Sequence, residues 1–243
     1  MKEIIKLPVE HYLQLIKDNK PFSFSRFGDG EALCINNPDF FKTQKTYPYR
    51  SWILTCGDQL LKILINNHDY YHCFLYGTFW ERGPHRGNDF IKILDEKCDN
   101  MNFYDGEVWQ DLSFDGGILK ITKAIDPYTP VFIGGKHLKN IEYINGISKM
   151  KLIEIDDVNA YEDYDFIYNE IMDKFNVGSR MFCFSASIVG KILIDNLFPI
   201  IGDKAFMIDF GSLFDPYCGK LSRSNMVTVG FEKFQPFTKM KLL

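Results

Sequence analysis

Six residues near the amino terminus, Arg26-Phe27-Gly28-Asp29-Gly30-Glu31, concentrate more potential chemistry than any other stretch of the chain. Asp29 and Glu31 are two apart, so in an extended or turning backbone their carboxylates can point the same way. Paired carboxylates are hard oxygen ligands suited to Mn²⁺ or Mg²⁺, ions that complete their shells with water and substrate phosphates. Gly28 and Gly30 flank Asp29, permitting unusual dihedrals and the close approach of a bulky anion. Arg26 adds a guanidinium able to pair with a diphosphate. Together these groups can hold a nucleoside diphosphate and neutralise the charge it develops as it departs. The same spacing has a second meaning, in which Asp29 caps a helix beginning near Gly30 and Glu31 complements the helix dipole. A D-x-E triplet alone does not choose between the two.

Three further polar loops follow apolar runs. Gly134-Gly135-Lys136-His137 offers backbone amides, an ammonium and an imidazole to phosphate or ribose, or forms a turn with a solvated lysine. Ser185, with Ala186 and Ser187, stands at an expected helix start, where exposed amides can receive an anion or the serine can act as N-cap. The richest stretch runs from Asp209 to Ser224. Asp209 closes an apolar strand, where a carboxylate costs free energy unless paired or coordinating. Asp209 or Asp215 is the candidate base toward an acceptor hydroxyl, with Lys220 and Arg223 available to phosphate; turn carboxylates around Pro216 and a solvated basic tail are the alternative. The chain has no G-x-x-x-x-G-K-[ST], no G-x-G-x-x-G and no G-x-S-x-G, which speaks against a P-loop, a dinucleotide dehydrogenase and a serine hydrolase.

The elements that must position these loops read as alternating helices and short apolar strands. Helices are expected over 8–19, 53–66, 87–98, 115–125, 163–175 and 185–198, and strands over 21–26, 71–76, 130–134, 151–155, 180–184 and 205–211. The first strand is expected to run into FGDGE as a turn. Such a pattern indicates an α/β, Rossmann-like, mostly parallel sheet with helices on both faces, with ligands beyond the carboxyl ends of the strands. No linker or repeat interrupts residues 1–243, which read as a single domain. Weaker signals are an aromatic wall at Phe79-Trp80-Glu81-Arg82-Gly83 with Arg86 nearby, and an acidic helix start after Glu154. The C-terminal FEKFQPFTKMKLL can pack on the domain or meet a membrane surface or second subunit.

Composition narrows the class. A formal net charge of −4 argues against a protein that lives on nucleic acid. The aromatic share of 16% suits either a thick core or stacking of sugars and bases. The 6 cysteines, several within apolar runs and none in a CxxC pair, point to buried reduced thiols and a cytoplasmic location. No transmembrane segment or signal-peptide core is expected.

The first strand with Ser25-Arg26-Phe27-Gly28-Asp29-Gly30-Glu31 resembles the signature of the GT-D glycosyltransferases, formerly domain of unknown function 1792. The likeness continues through Val131–Leu138, the strand-to-helix step at Ser185, and Ile208-Asp209-Phe210-Gly211-Ser212. It departs at Leu33, where an aromatic is expected. The resemblance implies a Rossmann-like GT-D domain with Asp29 and Glu31 binding Mn²⁺ or Mg²⁺. It also implies a hexosyltransferase-like activity that moves a sugar from a nucleotide-sugar donor, a UDP- or GDP-sugar, to a glycan or glycoconjugate acceptor. Placement in the loops after the strands, not the resemblance, makes Arg26, Gly28, Gly30, Gly134, Gly135, Lys136, His137, Ser185 and Arg223 the expected donor contacts, and Asp209 and Asp215 the catalytic candidates. Two rivals stand beside it: a metal-dependent phosphohydrolase or nuclease using the same carboxylates, and a non-catalytic nucleotide-sugar or glycan-binding module. The donor base, the stereochemical outcome and any homo-oligomer are left open by the sequence.

Overall fold

The computed structural model describes residues 4–36, 53–66, 70–74, 102–110, 112, 114, 116–156 and 160–242. Within them the strands are β1 (Ile4–Ile5), β2 (Ser23–Phe27), β3 (Tyr71–Phe74), β4 (Phe103–Asp105), β5 (Val131–Gly134), β6 (Lys151–Glu154), β7 (Met181–Ser185) and β8 (Phe206–Asp209). They form one sheet in the order β1-β4-β3-β2-β8-β7-β5-β6, and each pairing is parallel. The α/β parallel architecture expected from the alternation is therefore present, extended by the two short strands β1 and β4 that the hydrophobic pattern did not mark.

Period-two alternation sorts side chains to the two faces. Phe132, Cys183, Ile208 and Phe24 align in register across β5, β7, β8 and β2, and all four pack into one core layer. That layer is covered by α1 (Val9–Lys17) and α4 (Ile118–Ile125), whose buried positions Val9, Tyr12 and Ile16, and Ile118, Ile121 and Ile125, recur at helical spacing. Phe234 and Leu242 join the same layer, so the C-terminal segment packs on the domain. The opposite face carries the row Ile133, Phe184 and Asp209. It is covered by α3 (Ile53–Ile65), α5 (Tyr164–Asn176) and α6 (Ser187–Ile201). Helix α6 is apolar nearly all round, as a helix enclosed between a sheet and other helices must be.

One element differs from expectation at the site itself. FGDGE is not an extended turn, because α2 (Asp29–Asn36) begins there, with Ala32 N–H donating to the Gly28 carbonyl at 3.1 Å. Gly28 is thus the N-cap position, and the helix starts one residue earlier than the capping alternative had it. Smaller corrections follow the same logic. Lys136 and His137, read as part of a loop, begin a 3₁₀ helix (Lys136–Tyr143), and α6 is preceded by Ala186 rather than capped by Ser185, which ends β7. The expected helix at 87–98 and the aromatic wall at 79–83 with Arg86 lie outside the described residues. Cys34, Cys56, Cys183 and Cys218 are free and buried, as the apolar flanks predict. Burial raises each thiol's pKa, that of Cys56 to about 12. No described helix is long and apolar enough to cross a membrane.

Candidate functional site

Strands β2 and β8 are neighbours in the sheet, so the loops at their carboxyl ends share one edge. Glu31 is the third residue of α2. In a capping box this position reaches back to the N-cap amide, and here Gly28 N–H donates to Glu31 Oε2 at 2.8 Å. Its other oxygen, Oε1, lies 3.0 Å from Lys191 Nζ, and the same ammonium lies 3.0 Å from Asp209 Oδ2. Lys191 also donates to the Ser187 carbonyl at 2.9 Å, so the ammonium is surrounded by three oxygens. Asp209 Oδ1 accepts from Gly211 N–H at 2.9 Å.

Burial makes this cluster a single electrostatic unit. Lys191, Glu31 and Asp209 are 6%, 7% and 1% exposed. Burial pushes the Glu31 pKa up, but the Lys191 charge and the Gly28 amide outweigh it and hold the carboxyl below its ordinary value. Burial likewise works against the Lys191 ammonium, and Asp209 and Glu31 overcome it to raise its pKa. All three groups meet because Asp209 falls on the α6 face of the sheet and a helical side chain leans toward its own N-terminus. Ser187, whose carbonyl completes the set, holds φ 50, a left-handed conformation that costs a non-glycine residue about 1–2 kcal/mol.

Other predicted residues fall into separate positions. Arg26 is buried on the face of the sheet that Phe24 shares, and its Nη1 donates to the Phe210 carbonyl at 2.8 Å. Gly211, with φ +55, lies against that guanidinium, where an added Cβ would come within 2.5 Å of Nη1. Among the described residues, nothing lies within 4 Å of where a Gly30 side chain would stand. At Gly134 the same space is filled by Leu138 and Ser185, so this glycine lets the 3₁₀ helix and β7 approach β5. Gly135 leads into that helix in extended conformation, and Lys136 is its first residue. His137 Nε2 and Asp215 Oδ1 lie 2.9 Å apart, which brings together two candidates from loops 78 residues apart. Arg223 Nε donates to Ser212 Oγ at 3.1 Å, and Ser185 Oγ is buried with no hydrogen-bond partner among the described residues. The Asp29 side chain lies outside the described part of the structure. Among the described residues, no three His, Cys, Asp or Glu side chains cluster as a ready-made metal cage.

Lys191 was not among the candidates drawn from the sequence. A signal for it was present, since a lysine amid SASIVGKILIDNLF has no solvent face to occupy and must be paired.

An open parallel sheet with its charged groups gathered at the carboxyl edge belongs to the class of α/β folds that bind ligands at that edge. Within that class the fold is that of the domain of unknown function 1792. A structure described as showing that this domain has a distinct glycosyltransferase fold aligns with a TM-score of 0.65 at 18% identity, covering 99% of this chain and 92% of the other. A selenomethionine-substituted structure of the domain aligns at 0.63 and 17% identity, with the same coverage. A new glycosyltransferase of this domain from Streptococcus sanguinis aligns at 0.67 and 13% identity, covering 98% and 95%. No protein-family model and no curated protein matches the sequence.

Proposed function

We propose that the protein is a glycosyltransferase that binds a nucleotide-sugar donor, a UDP- or GDP-sugar, at the carboxyl edge of β2 and β8. A glycan or glycoconjugate is the acceptor. The observation that carries this reading is the near full-length match to glycosyltransferase folds, coupled with a buried cluster of two carboxylates and one ammonium at the edge where such folds bind ligands.

The donor set suits a divalent cation. Glu31 is held as an ionised carboxylate, with Oε1 against Lys191 and Oε2 accepting from the Gly28 amide, and a carboxylate is the hard oxygen donor such a cation takes. Glu31 with Asp29 would hold Mn²⁺ or Mg²⁺, which when bound supplies charge neutralisation to the departing diphosphate. Lys191 keeps Glu31 ionised for that task. Gly30 leaves room for the donor to approach the start of α2. Arg26 holds the loop after β8 through the Phe210 carbonyl, fixing the Asp209 backbone beside it. On the acceptor side, the His137–Asp215 pair has the arrangement of a base oriented by a carboxylate.

A thermal-shift panel of nucleoside diphosphates and nucleotide sugars, with and without Mn²⁺, tests the reading. A ligand at 100 times its Kd stabilises the folded state by about 2.7 kcal/mol, so a true donor stands out from the panel. One UDP- or GDP-sugar is expected to raise Tm in the presence of Mn²⁺, with the gain abolished by Asp29→Ala. A panel in which no nucleotide shifts Tm and no donor is cleaved would sink the proposal.

A further inference from the structure

We propose that the Lys191 ammonium competes with a divalent cation for the Glu31 carboxylate, and thereby sets the metal affinity of the site. The inference rests on the donor-site reading above and concerns how that site is regulated. Two carboxylates facing one point charge is the arrangement with which proteins hold a divalent ion, and here the bracketed charge belongs to the chain itself. The ammonium donates to the Ser187 carbonyl and lies against one oxygen each of Glu31 and Asp209, so it is held from three sides. It arrives on α6, an element separate from both carboxylates, and at 6% exposure it has no solvent position to retreat to.

A cation approaching Glu31 therefore meets a positive charge already in contact with that carboxylate. The repulsion is little screened in a buried site. Metal binding is weak until a diphosphate brings negative charge of its own, so the cation and the donor bind together. The ammonium holds Glu31 ionised and in place meanwhile. Lys191 is thus a positioning residue that makes metal binding depend on donor binding.

The test is calorimetric titration of Mn²⁺ alone into the full-length protein and into Lys191→Met and Lys191→Arg, with no nucleotide present. Removing the charge is expected to tighten Mn²⁺ binding by about tenfold or more, and Lys191→Arg, which keeps the charge, to stay near wild type. Lys191→Gln, with an amide that still donates to a carboxylate, replaces the methionine variant if that protein does not fold. Equal Mn²⁺ affinity in wild type and the uncharged variant overturns the competition while leaving the donor-site reading intact. Binding by the variant with none detectable by wild type supports the competition, since the native site is expected to hold the cation alone only weakly. Binding by neither protein overturns the competition, and the donor-site reading is then decided by the thermal-shift panel with nucleotide present.

Discussion

Lys191 Nζ stands 3.0 Å from Glu31 Oε1 and 3.0 Å from Asp209 Oδ2, so one charge on α6 ties the start of α2 to the end of β8. A buried triad of this kind contributes little net stability, because desolvation offsets the attraction, but breaking it is costly. Lys191→Met is expected to lose about 3–5 kcal/mol in urea unfolding, since it leaves two buried carboxylates without a counter-charge. The triple variant with Glu31→Gln and Asp209→Asn should recover most of that loss. A triple variant no more stable than Lys191→Met would show that packing around the lysine stem, not charge, sets the cost.

The same triad fixes a pH dependence. The Glu31 pKa is lowered in the fold from an ordinary 4.5, so its contribution is present above that value and is lost as pH falls through the folded pKa. The Lys191 pKa is raised from 10.5, so its contribution is complete below that value and is lost as pH rises through the folded one. The stability gap between wild type and Lys191→Met should therefore be widest between about pH 5 and 10 and narrow on both sides. Denaturant midpoints measured across this range check it, and a gap independent of pH would refute the assignment.

Backbone space around the site gives a third expectation. Gly57, in α3, faces the Cys34 carbonyl of α2, and an added Cβ would lie 2.4 Å from that oxygen. Gly57→Ala must push α2 away from α3 and carry Glu31 with it. A loss of about 1–3 kcal/mol is expected, as for overpacking elsewhere in cores. Gly211→Ala should cost a similar amount for another reason, since its φ of +55 and its contact with Arg26 both exclude a side chain. Unfolding midpoints unchanged in both variants would show that these contacts relax freely.

Much of this fold could be read from the sequence because short apolar strands alternate with helices of clear period. Ile133 and Phe184 lie in the same apolar runs that marked β5 and β7. The strands β1 and β4, of two and three residues, carry too little pattern to register. At the site, the carboxylate Glu31 and the strand-ending Asp209 were legible because acidic residues stand out after apolar runs. Their shared partner was not, because Lys191 is brought to them by packing of α6 against β2 and β8, a relation no local spacing encodes. A helix start near Gly30 was one of the two readings the hexad allowed, but its two glycines suit a turn as well by propensity, so local spacing could not choose it or place its first residue at Asp29.

The His137–Asp215 contact carries the last prediction. At 2.9 Å, with side chains 16% and 10% exposed, the pair joins the 3₁₀ helix after β5 to the loop after β8, and Asn140 reinforces the tie by donating to the Cys218 carbonyl at 3.1 Å. A purely structural tie and an acceptor base predict different measurements. If the pair takes the acceptor proton, His137→Gln should lower kcat by about 10²–10⁴-fold with donor KM little changed, the usual contribution of a general base. Asp215→Asn should lower kcat less, because the imidazole remains while its orientation loosens. The double variant should then be no worse than His137→Gln alone, since Asp215 acts through the histidine. If the contact only braces the fold, each single variant loses stability, the unfolding free energies couple by about 0.5–3 kcal/mol, and kcat per folded molecule stays at the wild-type level. Steady-state kinetics on the two single variants and the double variant, normalised to folded protein, separate these outcomes.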